Sequence, residues 1–538
     1  MGFFTIPELN TRLGTWRAYH LAAIVLSVFV PDDPKFQVEY MTRPHNSISS
    51  FLSGYDAGIA GGILTFKSFE TDFRYTSGHE SKVSSLTVGL EQMGSFVAAA
   101  CVYPITNKFG RKWTIIGSTG LFCVGVIIQV INTHSLAAWY VGRVIAGLGM
   151  GGQSVVIPMY SAEMTPKEIR GRCGSFYQWM YAWGVFLAYW VDYGVEQSNS
   201  ISGTTREWQI PVGLQLVSGG ALFILTFTLP ESIRWLLSKG RTEEAWGSIT
   251  WIRGGDNLKT QEEFAETQLG LQAERSESEG FSFREILEPA NRLRFFVGPM
   301  LFIFQNATGS SALAVFAPEY FKLVAGGDSD MLLTALFGAM KVIACSFFIF
   351  FLSERLTRRS ALTGGSIFMG ICMLITAVVV DKTHTTANGQ ATAAGRATVA
   401  MLYLNIMVYN CSWGPMPWAY VPEIFPTRSR AMGLAVSMLA HWATSFCFSF
   451  ASPYMIDNLG ANTFFIFMGF DFLAAVFCWF FVKETRGKNL EKAAGTEWEV
   501  AERSSDDDEK GAVLGPNGRK VHLVSVHENF HTNLHHHA

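Results

Sequence analysis

Apolar runs long enough to cross a membrane recur along most of the chain, separated by short polar loops. They predict helical spans near 83–103, 113–131, 137–160, 171–193 and 209–229. A polar stretch follows, and then six more runs near 294–323, 330–353, 360–380, 398–421, 431–456 and 461–483. With a first span placed before residue 67, the plan is an all-α membrane protein of twelve transmembrane helices in two six-helix halves. The predicted organisation is a cytoplasmic N-terminus over 1–16, an N-terminal half over 17–229 and a helical linker over 230–293. A C-terminal half over 294–483 and a disordered cytoplasmic tail over 484–538 complete it. Arg, Glu and Gln at helical spacing predict short helices in the linker, which begins at Pro230, a plausible helix stop.

Composition agrees. The 538 residues are 49% hydrophobic and only 16% charged, whereas soluble domains are roughly a quarter charged. That leaves too little charge to coat several soluble domains. A net charge of -3 argues against a nucleic-acid partner, which needs a basic face. Eight cysteines lie mostly in apolar runs without a CxxC pair, so neither a disulfide framework nor a zinc site is implied. The chain shows no nucleophile motif, HExxH or phosphate-binding loop. Nothing implies an enzyme, a cofactor or a metal. Gly147-x-Gly149-x-Gly151-Gly152 lies inside a predicted span with no preceding strand, so it reads as close helix packing rather than a dinucleotide loop.

The short loops set the orientation. Lys108, Arg111 and Lys112 follow the second span, and Lys167, Arg170 and Arg172 the fourth. Arg355, Arg358 and Arg359 follow the eighth, and Arg428 and Arg430 the tenth. Positive loops mark the cytoplasmic side, which puts both termini and the linker in the cytoplasm. The loops also carry a repeat. Tyr160-x-x-Glu163-x-x-Pro166-x-x-x-Arg170 returns as Tyr420-x-x-Glu423-x-x-Pro426-x-x-x-Arg430, each at the end of the fourth span of its half. Two parallel six-span repeats with a site between them describe a rocking transporter.

Further motifs are specific when taken together. They are Gly54-Tyr55-Asp56-Ala57-Gly58, Asn107-Lys-Phe-Gly110-Arg111-Lys112 and Gly142-Arg143-Val-Ile-Ala-Gly147. Pro230-Glu231-Ser-Ile-Arg234-Trp235, Trp413-Gly414-Pro415-Met-Pro-Trp418, Pro422-Glu423-Ile-Phe-Pro426-Thr-Arg428 and Glu484-Thr485-Arg486-Gly487 complete the set. The chain thereby resembles the sugar porter family of the major facilitator superfamily, in detail the fungal quinate, sugar-acid and hexose permeases. The resemblance implies the major facilitator fold, alternating access and a small polyhydroxylated substrate, with proton symport and passive facilitation as the two modes. Transport at the plasma membrane is the expectation, and a nutrient sensor on a transporter fold is the alternative.

Residue by residue, the resemblance points to Gln178, Gln305, Asn306, Ser311 and Trp418 as the substrate pocket. Gln and Asn amides both donate to and accept from sugar hydroxyls. The family's second Gln is here Asn306, and its Asn two positions after the Gly is Ser311. Its Asn in the eleventh span is Ser445. These shortened groups re-dress the pocket away from glucose and admit a quinate-like or uronate-like acid or another polyol. Asp56 and Arg143 are the expected proton-coupling pair, because a carboxylate inside the membrane is a functional candidate by default. The competing reading is a purely structural hydrogen bond. Arg111, Glu163, Arg170, Arg358, Glu423 and Arg430 are expected to form a cytoplasmic gate that locks the outward-facing state.

The first span reads poorly. Tyr19 to Val30 is apolar, Pro31-Asp32-Asp33-Pro34-Lys35 interrupts it, and polar sequence runs on to Ser50. Each apolar piece alone is too short to cross. Residues 28–50 are therefore expected to be foreign, a retained intron or gene-model error, whose removal fuses Leu21–Ser27 to Phe51–Ile63.

Overall fold

The computed structural model describes residues 44–484 except 76–77, 132–133, 165–169, 254–255, 257, 279–288, 326–329, 353–354, 383–392 and 426. In the tail it describes only Val513–Leu514 paired antiparallel with Lys520–Val521. The expected tail otherwise lies outside the described residues.

The described helices of the main unit assemble into twelve spans. The first six are Pro44–Thr65, Glu80–Phe109, Arg111–Val130, Leu136–Met164, Arg170–Gln197 and Arg206–Phe227. Three helices follow in the linker: Ile233–Ser238, Thr242–Arg253 and Leu258–Ser278. The seventh span is built of Pro289–Ala307, Ser310–Val315 and Ala317–Ala325. The eighth is Asp330–Phe347, extended by a wider turn over Phe348–Leu352. The ninth is Arg358–Lys382, and the tenth joins Ala393–Cys411 to Met416–Ile424. Thr427–Leu459 and Asn462–Phe481 are the last two. Among the described residues, seven of these helices are each long and apolar enough to cross a membrane unaided. Val217, Ile224, Phe350 and Phe480 are among the most exposed apolar side chains. Exposed apolar groups on this scale suit a surface that faces lipid rather than water.

The two halves meet mainly where the second span packs on the eleventh and the fifth on the eighth. Polar contacts stitch these seams: Ser445 donates to Gln92 at 3.0 Å, Trp179 to Ser346 at 2.9 Å and Trp442 to Ser154 at 3.3 Å. The glycine run of the fourth span does pack closely. A Cβ at Gly147 would run into the Glu91 carbonyl, and one at Gly149 into the backbone of Phe122. Small residues here let the fourth span touch the second and third backbone to backbone.

Two spans expected as unbroken runs are interrupted. The seventh breaks at Gly309, whose φ of 77° is left-handed and whose missing Cβ leaves room for the Phe467 ring. The tenth breaks in the Trp413-Gly414-Pro415 segment, because Pro415 and Pro417 cannot continue the helical hydrogen bonding. Irregular backbone at this depth is tolerated only where protein or a cavity satisfies it.

The first span begins inside the segment expected to be foreign. Residues 44–50, expected to be foreign, are its first two turns. Ile48, Ser49 and Ser50 are buried, and the Ser50 hydroxyl donates to the Tyr177 carbonyl. Residues 28–43 lie outside the described residues. The 22-residue helix is long enough to cross. Leu21–Ser27 and Pro44–Ser50 are equal in length, so a chain joining Ser27 to Phe51 keeps the span and replaces a polar stretch with an apolar one. Reverse-transcription sequencing across this junction is expected to yield a product without codons 28–50. Only full-length product would contradict the replacement.

Candidate functional site

The first half is built around a buried charge cluster. Asp56 on the first span, Glu91 on the second and Arg143 on the fourth are all nearly inaccessible. The Arg143 guanidinium reaches Asp56 Oδ1 at 3.1 Å through Nη1 and pairs with Glu91 Oε2 through Nη2. Its Nε donates to the Thr87 carbonyl at 3.0 Å. Gln215 of the sixth span donates to Asp56 Oδ1 at 2.8 Å. Two carboxylates share one guanidinium, so full ionisation leaves one negative charge in excess. Removing unpaired charge from water is costly, and one added proton restores neutrality. Glu91 was missed in the sequence. Its signal was available, since it is a carboxylate inside an apolar run.

The predicted pocket residues gather around the breaks in the seventh and tenth spans, with one exception. Gln305 donates from Nε2 to the carbonyls of Trp413 at 2.8 Å and Gly414 at 3.2 Å. These are backbone acceptors that the interrupted helix leaves unpaired. Its Oε1 is buried without a hydrogen-bond partner among the described residues and can accept from a hydroxyl. Gln178 reaches across from the first half, and a Cβ on Gly414 would stand 3.3 Å from its Nε2. Ser311 shares a 3.4 Å hydrogen bond with Tyr409. Trp418 is half-buried and packs edge-on against Phe302 and His441, at 5.1 and 5.4 Å between ring centroids. The exception is Asn306. It is 1% exposed and turned into the eleventh span, where its Nδ2 lies 3.3 Å from the His441 carbonyl and 3.4 Å from Thr444 Oγ1. That is helix–helix contact. Tyr409 and His441 were missed because neither matches a motif; only packing brings them here.

The linker-side charges form two matching sets, one in each half. Arg111 makes a bidentate pair with Glu163 at 2.9 and 3.0 Å, and Arg358 pairs with Glu423 at 3.1 Å. Glu231 accepts from the backbone N–H groups of Arg111 and Lys112 at the start of the third span. Glu484 does the same for Arg358 and Arg359 at the start of the ninth. A carboxylate there satisfies free N–H groups and complements the helix dipole. Both ion pairs lie within a half, and among the described residues no ion pair crosses between halves. Arg170 and Arg430 sit in the fifth and eleventh helices, but their side chains lie outside the described residues.

A scan of protein families matches residues 44–496 to the family described as "Sugar (and other) transporter". The chain belongs to the sugar transporter family. It resembles the quinate permease of Emericella nidulans, 30% identical over 490 residues, 88% of this chain and 87% of that one. It also resembles the probable quinate permease of Aspergillus niger, 32% identical over 493 residues, 88% of this chain and 87% of that one. Among solved structures it is similar to the proton:xylose symporter XylE bound to 6-bromo-6-deoxy-D-glucose. The TM-score is 0.70 at 24% identity, covering 85% of this chain and 98% of that one. The inward-open xylose transporter XylE from E. coli gives 0.69 at 24% identity, with 85% and 99% covered. At that identity the structures show a shared fold, the twelve-helix major facilitator architecture.

As a sugar transporter this chain is an integral membrane permease, and its curated relatives are permeases rather than enzymes. In it, Gln305→Ala should raise the KM of uptake about tenfold, the loss of one or two hydrogen bonds to a buried group. Asn306→Ala should leave KM nearly unchanged and lower the melting temperature instead, at a cost of about 0.6 kcal/mol. Initial uptake rates and melts of the two purified variants check this contrast.

Proposed function

We propose that the chain carries a sugar-like or quinate-like polyhydroxylated solute through the plasma membrane by alternating access, together with a proton. The observation that carries this reading is the contact between the charge cluster and the pocket. Gly54, two residues before Asp56, lies directly on the Tyr181 backbone, and a Cβ there would collide with the Tyr181 carbonyl. Tyr181 is one helical turn from Gln178, on the same face of the fifth span. Protonation at Asp56 or Glu91 changes what holds the first span against the second and fourth. The first span in turn bears on the wall that presents Gln178.

Asp56, Glu91 and Arg143 hold and release the proton. Gln178, Gln305, Ser311 and Trp418 grip the solute, and Asn306 fixes the seventh span to the eleventh. Arg111–Glu163 and Arg358–Glu423 stiffen the linker-side end of each half, so that each rocks as one body. Arg170 and Arg430 are the further members that the family resemblance implies for these sets. The positive linker-side loops favour a cytoplasmic linker and termini. Quinate is the first solute to try, because the quinate permeases match nearly the whole chain.

In a cell lacking its own permeases, uptake should rise as external pH falls, and an uncoupler should abolish accumulation. Asp56→Asn should still let the solute equilibrate but should end accumulation, because an amide cannot carry the proton. Uptake that ignores both pH and uncoupler, with accumulation intact in Asp56→Asn, would refute proton coupling.

A further inference from the structure

The eighth span carries a cation in the middle of its apolar run. Lys341 is 2% exposed, and its ammonium lies 5.3 Å from the Tyr181 ring centroid, across the boundary between the halves. It forms no ion pair among the described residues. The carboxylates of the charge cluster, Asp56 and Glu91, are both held by Arg143. Asp192, on the fifth span with Tyr181, lies eleven residues further along and is packed against Gly62. An aromatic face attracts an ammonium, but it does not replace the hydration lost on burial. Lys341 therefore presents a positive charge that no described residue answers with an anion.

Its surroundings belong to the pocket. Tyr181 follows Gln178 by one turn, and Gln178 lies beside Gly414, whose N–H donates to the Tyr409 carbonyl at 2.8 Å. Tyr409 in turn meets Ser311. One wall is thus cationic, while the others offer amides and hydroxyls, including the unpartnered Gln305 Oε1. We propose that Lys341 is the counter-ion for a carboxylate on the transported solute, so that the site selects polyhydroxylated acids over neutral sugars of the same size. The inference rests on the transport reading for the identity of the pocket. The ammonium gives the carboxylate a charge-assisted hydrogen bond, and the amides and hydroxyls pair with the ring hydroxyls. A neutral sugar leaves the buried ammonium without an anion, and a site with an unanswered polar group discriminates strongly.

The test uses the purified full-length chain with two matched pairs of probes, quinate against inositol and galacturonate against galactose. Binding is read by ligand-induced thermal shift, and uptake is read in proteoliposomes. The acids should bind at least about tenfold more tightly than their neutral partners. Lys341→Met should erase that advantage, so that acids and their neutral partners bind alike, and Lys341→Arg should restore part of it. Unliganded melts report folding, and Lys341→Gln substitutes where Lys341→Met melts early. The proposal is overturned if the wild-type chain binds no acid, or binds neutral partners as tightly. It is also overturned if Lys341→Met keeps the preference for acids, or loses acids and neutral sugars alike without rescue by Lys341→Arg. Acid binding without uptake refutes the transport reading and leaves Lys341 in its role. Uptake of neutral sugars alone does the reverse.

Discussion

Arg143 is held at three points in a place where water cannot help it. Asp56, Glu91 and the Thr87 carbonyl surround the guanidinium, and Gln215 steadies Asp56 from behind. The first, second, fourth and sixth spans therefore converge on one ion. A guanidinium stripped of water is stable only with its partners in place, so these spans must pack to within hydrogen-bond reach. Gly147 makes that approach possible, because any side chain there would push the second span and Glu91 away. The same packing leaves one carboxylate more than the arginine can neutralise. Structural necessity and the proposed capacity to carry a proton thus arise from one arrangement.

The second half repeats the first at its linker-side end but not at its centre. Arg111–Glu163 and Arg358–Glu423 correspond, as do Glu231 and Glu484 at the helix starts. Tyr160 donates to the Pro230 carbonyl, and Tyr420 accepts from the Lys483 N–H at the equivalent point. In place of a charge cluster, the second half has broken helices. Gly309 and the Trp413-Gly414-Pro415 segment open the seventh and tenth spans, and Gln305 answers the carbonyls so exposed. One half carries the charge cluster and the other the broken helices. The fifth and eighth spans pack against each other across the boundary between the halves.

Much of this was legible in the residues. The apolar runs placed the spans, and the repeated Tyr-x-x-Glu-x-x-Pro motif marked the two halves before any helix was seen. The Gly-x-Gly run read as packing because it lay inside a span. What escaped were groups whose meaning depends on a partner elsewhere in the chain. Glu91 and Lys341 are single charges in apolar runs, and no spacing links them to Arg143 or Tyr181. Asn306 adjoins Gln305, but a helix turns neighbours by about 100°, so one faces the broken tenth span and the other the eleventh. The breaks at Gly309 and Pro415 escaped because hydropathy stays high through them. In the first span, polar residues hid a helix that begins at Pro44.

The central claim is that Asp56 and Glu91, gathered on Arg143, hold a proton that moves with the solute. Proteoliposomes loaded with a pH-sensitive dye test it directly, by recording lumenal pH when quinate is added outside. Wild-type protein should acidify the lumen only when solute is present. Glu91→Gln should weaken or abolish that signal while labelled quinate still exchanges across the membrane. Equal acidification by wild-type protein and by an Asp56→Asn, Glu91→Gln double variant would contradict the account.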